Sequence, residues 1–387
     1  MMALHREMLV PYVFGLYMAI ILVAGLWPFD FLPGNGVTMQ PGENRLVFNG
    51  HGVAVIGNHD LDRLRQDFAV KAVTAELWIK PTVEPTNGVP AILAFHDRQA
   101  GKSFFLGQWK THLIVRTRTN LPTKNNRGYR EIGLRDALVP GNERFLTLAS
   151  DANGTVIYLD GQLAQSHGQY QLFSETGGVD ELVVGNSPSG KQGWSGEFWG
   201  LAVYNRALQP DEVIESYLGW MDGSRERLWI ENTLALYSFR GGSLPAVRNL
   251  ASAGLDLVVP LVFVPLHRTI LACSWDFAQH RWSTVQDVAI NVVGFMPFGL
   301  LAFLLLSGRG HLSRGRTFVL VTILGLTLSV AIEWAQAYLP SRDSSLIDVV
   351  CNGVGTALGA AMVLPPRVRR VFVELVKWQE EASPKQF

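Results

Sequence analysis

Thr147-Leu-Ala-Ser-Asp-Ala-Asn-Gly-Thr-Val-Ile-Tyr-Leu-Asp-Gly161 reads as two short strands joined by one turn and closed by another. Phe145-Leu-Thr-Leu-Ala149 alternates apolar and polar side chains, as a half-buried strand does. Asp151-Ala-Asn-Gly154 supplies a turn, and Asp160-Gly161 gives a tight hairpin after Thr155–Leu159. The same texture runs outward from Pro33 to about Tyr217, with Thr74–Lys80, Phe104–Gly107 and His112–Thr117 as further alternating runs between Gly, Asn, Asp and Pro. This pattern predicts an all-β antiparallel sandwich, placed at 40–220.

Different physics governs the flanks. Met8 to Trp27 carries no charge, and about 20 helical residues at ~1.5 Å each cover the ~30 Å hydrocarbon core of a bilayer. The run is longer than a signal-peptide core and lacks a small-x-small cleavage site, so 8–31 is expected to be a retained first transmembrane helix. Trp27, Phe29 and Phe31 form its interfacial aromatic anchor. Three further apolar runs, Val288–Leu306, Phe318–Leu339 and Leu346–Leu364, predict a three-helix membrane region at 286–366. The connection Ser307–Arg316 carries three arginines and no acid, and Arg367, Arg369 and Arg370 follow the last run. Basic loops stay in the cytoplasm. The expectation is therefore a multi-pass bacterial inner-membrane protein with four spans, an outward sandwich inserted after the first span, an outward Pro340–Ser344 loop, and a cytoplasmic basic tail at 367–387. Leu255–Ala272 is apolar but broken by Asp256, Pro260, Pro265, His267 and Arg268, and is read as an interfacial or re-entrant piece within a linker at 221–285.

Composition agrees with a chain partly in lipid: 48% of the 387 residues are hydrophobic and 17% charged, against roughly 25% charged in soluble domains. The 33 basic and 33 acidic residues balance, which gives no reason to expect a nucleic-acid partner. Cys273 and Cys351 alone support neither a disulfide framework nor a cysteine metal site.

Polar residues inside apolar helices cost roughly 2.5–3.5 kcal/mol near the bilayer centre, so their positions carry information. Asp287 and Asn291 are four apart, Glu333 and Gln336 three apart, and Asp348 and Asn352 four apart, so each pair shares one helix face. The four-span arrangement puts all three pairs at one depth, toward the outside. With Arg342 as a counter-charge they make a candidate polar pocket; the bland alternatives are a cluster that glues helices together, or N-terminal caps at Asp287 and Asp348. Gly355 and Gly359 continue the Asp348 face and would permit close helix approach, with Gly294 in a comparable role beside Asn291.

The strand pair quoted first resembles the centre of LamG, the concanavalin A-like jelly-roll family. Leu182-Val-Val-Gly185 is similar to that family's Leu-x-Ile-Gly strand, and Trp194-Ser-Gly-Glu-Phe-Trp-Gly-Leu-Ala-Val-Tyr-Asn-Arg-Ala-Leu-Gln-Pro-Asp-Glu-Val213 to its closing strand and helix. The resemblance implies a jelly-roll sandwich whose loops take glycans, proteins or calcium. Trp109, Trp194 and Trp199 are candidate sugar-stacking residues, with core filling as the alternative. Asp97 and Asn186 could hold calcium or be ordinary turn residues; no other cofactor and no metal motif is expected. Asp160, Asp180, Glu181 and Glu197 form no tight carboxylate pair of the kind a glycan hydrolase needs.

The polar pairs carry a second resemblance. Asp287-x-x-x-Asn291-x-x-x-Phe295-x-Pro297-x-Gly299, Ser329-x-x-x-Glu333-x-x-Gln336-x-x-x-Pro340-x-Arg342 and Asp348-x-x-x-Asn352-x-x-Gly355-x-x-x-Gly359 look like the signature of the VanZ-like membrane family, and Trp27-Pro28-Phe29-Asp30 is similar to the end of its first helix. The large insertion departs from the family. What the resemblance implies is a cell-envelope role, including low-level glycopeptide resistance, without a defined reaction. The first expectation is a protein that binds membrane lipids and an anionic lipid-linked or glycan ligand at the outer leaflet, with Arg342 on its phosphate or carboxylate. The alternatives are a membrane enzyme with Glu333 as general base and Asp287 or Asp348 as its partner, or a structural glycan tether.

Overall fold

The computed structural model describes residues 9–39, 42, 44–56, 72–96, 103–118, 128–172, 179, 181–223, 232–240, 244–251, 255–263, 268, 270–273, 281–307, 312–365 and 368. The chain divides into two compact units: one is Leu32–His267, and the other joins Met1–Phe31 to Arg268–Phe387.

Among the described residues the strands are β1 (Val37–Thr38), β2 (Leu46–Asn49), β3 (Ala54–Ile56), β4 (Val73–Pro81), β5 (Ala91–His96), β6 (Ser103–Trp109), β7 (His112–Arg118), β8 (Tyr129–Leu134), β9 (Arg144–Asp151), β10 (Gly154–Leu159), β11 (Gln162–His167), β12 (Glu181–Val184), β13 (Ser195–Tyr204), β14 (Thr233–Ser238), β15 (Ala246–Val247) and β16 (Leu257–Val258). The helices are α1 (Leu9–Leu26), α2 (Pro210–Asp222), α3 (Arg281–Ser307), α4 (Arg314–Gln336) and α5 (Leu346–Met362).

The strands form two antiparallel sheets. One runs β1-β2-β13-β4-β9-β10-β11, with β14 on the second half of β13; the other runs β15-β16-β3-β12-β5-β6-β7-β8. Leu46, Phe48, Leu77, Phe95, Leu146, Phe198 and Leu201 point inward to one shared core between the sheets, while β4 and β9, expected to be half-buried, are buried on both faces.

That core is larger than the interval 40–220. The expected linker at 221–285 contains β14, β15 and β16, and Leu236, Tyr237, Phe239, Val247, Leu255, Leu257 and Val259 are buried in the sandwich unit. The reading of 255–272 as an interfacial or re-entrant segment is corrected accordingly over 255–263. Leu255, Leu257, Val259 and Phe263 face the interior of the sandwich unit, and the two residues of β16 pair with β15 on one side and β3 on the other. Tyr237 Oη donates to Leu255 O at 2.5 Å, and Asn249 ties β14 to the following turn through Leu236 N at 3.0 Å and Leu234 O at 3.1 Å.

A second apolar layer lies on the outer face of the first sheet, where α2 covers Trp78, Phe145, Tyr158 and Tyr204. α2 starts at Pro210 with Glu212 accepting from Gln209 N at 2.8 Å, and stops at Gly223 in the left-handed region, φ 75°. Under it sits Glu76, fully buried on β4. Its Oε2 accepts from Ser216 Oγ (2.7 Å), Tyr204 Oη (2.8 Å) and Trp220 Nε1 (3.2 Å), while Oε1 and the facing Thr147 hydroxyl on β9 have no partner. Burial pushes the Glu76 carboxyl up to about 7, against the pull of those three donors. A folded value above the unfolded one stabilises the fold below about pH 4.5, and that contribution is lost as pH rises through about 7. Thermal unfolding should thus show the sandwich losing on the order of 3 kcal/mol from pH 5 to pH 8. Glu76→Gln should flatten that dependence, and an unchanged profile would remove Glu76 as its source.

In the other unit, α3 and α4 contain stretches, Val285–Ser307 and Arg314–Gln336, long and apolar enough to cross a membrane; Val10–Leu26 and Leu346–Met362 are shorter apolar helices. Faces that would meet water in a soluble bundle are apolar: Leu16, Ile20, Ile290, Val293, Ile323, Val354 and Leu358 are all exposed. Arg309, Arg367, Arg369, Arg370 and most of the predicted basic tail lie outside the described residues.

Candidate functional site

The polar residues of the helical unit are held where three helices meet closely. A Cβ at Gly299 would overlap Thr356 O, one at Gly355 Val292 O, and one at Gly359 Met296 O, each closer than 3.0 Å, so α3 and α5 touch backbone to backbone. Gly294 does not play the expected packing part: a Cβ there meets nothing within 4 Å, and its carbonyl instead accepts from Tyr17 Oη of α1 at 2.6 Å.

Glu333, near the end of α4, is 2% exposed and closes on the start of α5. Its Oε2 accepts from Ser345 N at 2.7 Å, and Ser344 supplies a second hydrogen bond. The carboxylate therefore faces the free amides of a helix N-terminus, where negative charge is favoured. A short strap fastens this loop: Ala272 N donates to Ser344 O (2.9 Å), Leu346 N to Ala272 O (3.1 Å) and Leu271 N to Ser344 Oγ (3.0 Å). One turn before Glu333, Ser329 Oγ accepts from Asn352 Nδ2 at 2.9 Å, leaving Asn352 Oδ1 buried without a partner. Asp348, one turn earlier on α5, accepts from the Asn291 side chain and lies within electrostatic range of both Asp287 and Glu333.

Two of the seven predicted residues do something else. Gln336 Nε2 donates to Gly25 O at 2.8 Å, and Arg342 donates to Trp27 O (3.1 Å) and Ala24 O (3.3 Å). Arg342 thus caps the C-terminus of α1, where carbonyls without helical partners and the negative end of the helix dipole hold a guanidinium. The described contacts of Arg342 are with α1 carbonyls, not with the carboxylates for which the sequence predicts it as counter-charge. Asp287, Asn291, Glu333, Asp348 and Asn352 remain as one group. The strap at 271–273 and the serines at 344–345 have no counterpart among the expected residues, because a two-residue pairing between loops leaves no periodic signal in a sequence.

In the sandwich, the three tryptophans separate. Trp194 is 1% exposed, wedged against Phe48 and Phe198, with Nε1 donating to Gln108 Oε1 at 2.7 Å; it is a core residue and presents no face to a sugar. Trp199 sits at a bulge in β13, between the pairs Phe198–Ile79 and Gly200–Trp78, and stacks on Trp78 at 5.9 Å with Lys80 Nζ 6.0 Å from its ring. Trp109 ends β6 in the open, 45% exposed, with His112 5.4 Å away and Lys110 Nζ 5.3 Å from its ring. Asn186 is fully buried and braces a turn, accepting from Ser187 N (2.8 Å) and Gln192 N (3.1 Å) and donating to Gly52 O (3.3 Å). Those bonds use its oxygen for structure, which corrects the calcium assignment; Asp97 lies outside the described residues. Among the described residues no three His, Cys, Asp or Glu side chains are grouped to hold a metal ion.

Comparison with known proteins finds two family matches along the chain. Residues 49–214 match the concanavalin A-like lectin/glucanases superfamily, and residues 230–369 match VanZ/LLP1. The second match begins before β14, so it takes in the last strands of the sandwich unit as well as the helices. No curated protein matches the sequence. Among solved structures, the receptor-binding domain of botulinum neurotoxin C/D mosaic serotype aligns at 15% identity and TM-score 0.37, over 49% of this chain and 45% of that one. The Ruminococcus gnavus IT-sialidase CBM40 bound to alpha2,3 sialyllactose aligns at 18% identity and TM-score 0.32, over 38% of this chain and 84% of that one. The chain spans about half the length of the neurotoxin domains it matches.

Proposed function

We propose that this chain, a VanZ-like protein with a LamG-like domain, is a multi-pass protein of the bacterial cytoplasmic membrane that binds an envelope ligand, lipid-linked or glycan, at the outer leaflet. The observation that carries this reading is the position of the polar group. It gathers at the end of the helical unit where Gln336 and Arg342 grip the last turn of α1, which is also the end from which the chain leaves for the sandwich at Leu32. Connectivity alone thus favours one side of the membrane for both the sandwich and the buried carboxylates. Arg314 and Arg316 begin α4 at the opposite helix end, which supports that side as the outer one. Trp109 is the tryptophan left free to stack on a sugar ring.

Topology reporters fused at Gly128 and at Phe387 should report opposite sides of the membrane. The same side for both would end the four-span reading.

The function is tested at Glu333. Glu333→Gln keeps an oxygen for Ser345 N but removes the charge, so glycopeptide susceptibility should shift to that of a deletion strain while membrane abundance stays normal. Asn291→Ala should give an intermediate shift. A Glu333→Gln protein of normal abundance and full activity would reduce the cluster to helix glue.

A further inference from the structure

We propose that the ligand group received by this cluster is a primary ammonium on a lipid head group, held by Asp287, Asp348 and the side-chain oxygen of Asn352. The inference rests on the outer-leaflet reading above and reverses the sign of the ligand charge expected from sequence. Asp348 lies in electrostatic range of two further carboxylates, Asp287 and Glu333. Among the described residues no Lys, Arg or His forms an ion pair with any of them, because Arg342 is turned to the α1 carbonyls. Glu333 has its donors in Ser344 and Ser345, and Asp348 has one in Asn291. Unfilled acceptor capacity is left on Asp287, on Asp348 and on Asn352, whose Oδ1 is buried without a partner in a residue only 4% exposed.

That orphan is the observation an acidic cluster alone would lack. A buried carbonyl oxygen without a donor is destabilising, and a ligand N–H would satisfy it. Asn352 stands one helical turn beyond Asp348 on the same face of α5, and its amide nitrogen is fixed on Ser329, one turn before Glu333. Exposure falls along the way, from Asp287 in the open through half-buried Asp348 to buried Asn352. A cation is thus drawn in by an exposed acid and meets its last acceptor in the interior. An ammonium has three donors on one compact centre, whereas phosphate or carboxylate would bring acceptors to a site already made of them. The apolar outer faces of the helices around this group favour a ligand that arrives in the bilayer plane.

Native mass spectrometry of the full-length protein, reconstituted with equal phosphatidylethanolamine, phosphatidylcholine and phosphatidylglycerol, tests this. Retention should favour phosphatidylethanolamine over phosphatidylglycerol by about 10-fold, equivalent to ~1.4 kcal/mol. Phosphatidylcholine should fall near phosphatidylglycerol, since its charge carries no N–H. Asp348→Asn and Asn352→Leu should erase the preference, and the exposed Asp287→Asn, which leaves packing untouched, should weaken it about threefold. Competition by soluble ethanolamine would assign recognition to the ammonium itself; a preference that ethanolamine does not reduce would assign it to the ammonium of an anchored lipid. Equal retention of all three lipids, or a preference that survives in Asp287→Asn and Asp348→Asn alike, overturns the proposal. The Glu333→Gln phenotype tests the functional reading independently of these lipid preferences, so the two can fail separately.

Discussion

A fragment covering 46–217 is expected not to fold, whereas one covering 32–267 should give a cooperative, protease-resistant β protein. The shorter piece lies within the interval 40–220 expected from the sequence and lacks β1, β14, β15 and β16. It thereby loses Leu236, Tyr237, Phe239, Val247, Leu257 and Val259 from the buried interior and leaves the second half of β13 without one of its partners. At roughly 1.5–3 kcal/mol for each large apolar side chain, the loss is of order 10 kcal/mol. That matches the whole stability of a typical domain, about 5–15 kcal/mol. It also removes Trp220, one of the three donors to the buried Glu76 carboxyl. Circular dichroism and limited proteolysis of the two fragments decide the matter, and a stable, cooperatively melting 46–217 would show that β14 to β16 are dispensable.

Gly359→Ala should sharply lower the abundance and thermal stability of the detergent-solubilised protein, while Gly294→Ala should leave both intact. At Gly359 the new methyl meets Met296 O on α3, a backbone atom that cannot rotate away, so the helices must separate. Separation would open the interface that also carries Gly299 against Thr356 and Gly355 against Val292. Overpacking of this kind costs roughly 1–3 kcal/mol, and more where backbone is displaced. At Gly294 there is open space, and Ala gains up to about 1 kcal/mol of helix propensity. Equal behaviour of the two variants would contradict the close α3–α5 crossing. In the sequence both glycines look alike, each on an apolar helix that also carries an asparagine.

That contrast generalises to the whole chain. Strand alternation over Thr74–Lys80, His112–Thr117 and Phe145–Leu159, the Asp-Gly turns, the apolar runs of α3 to α5 and the spacing of Asp287, Asn291, Glu333, Asp348 and Asn352 are local features, each written within a few residues by side-chain polarity and backbone preference. They determined the two kinds of structure, their order along the chain and the candidate residues. What they could not contain is the identity of a side chain's distant neighbour. β15 and β16 have two residues each, too few for a period; β16 adds to the edge of β3 and β15 to that of β16. Trp194 and Trp109 share a sequence environment of short strands, yet one points between the sheets and the other leaves the end of a hairpin. Arg342 is spaced to meet Glu333 but donates to the carbonyls of α1, more than 300 residues away, while Glu333 takes its donor from Ser345 N. Hydrogen bonding is short-ranged, so partner choice across such separations was decided only when the tertiary structure brought those groups within about 3 Å of each other.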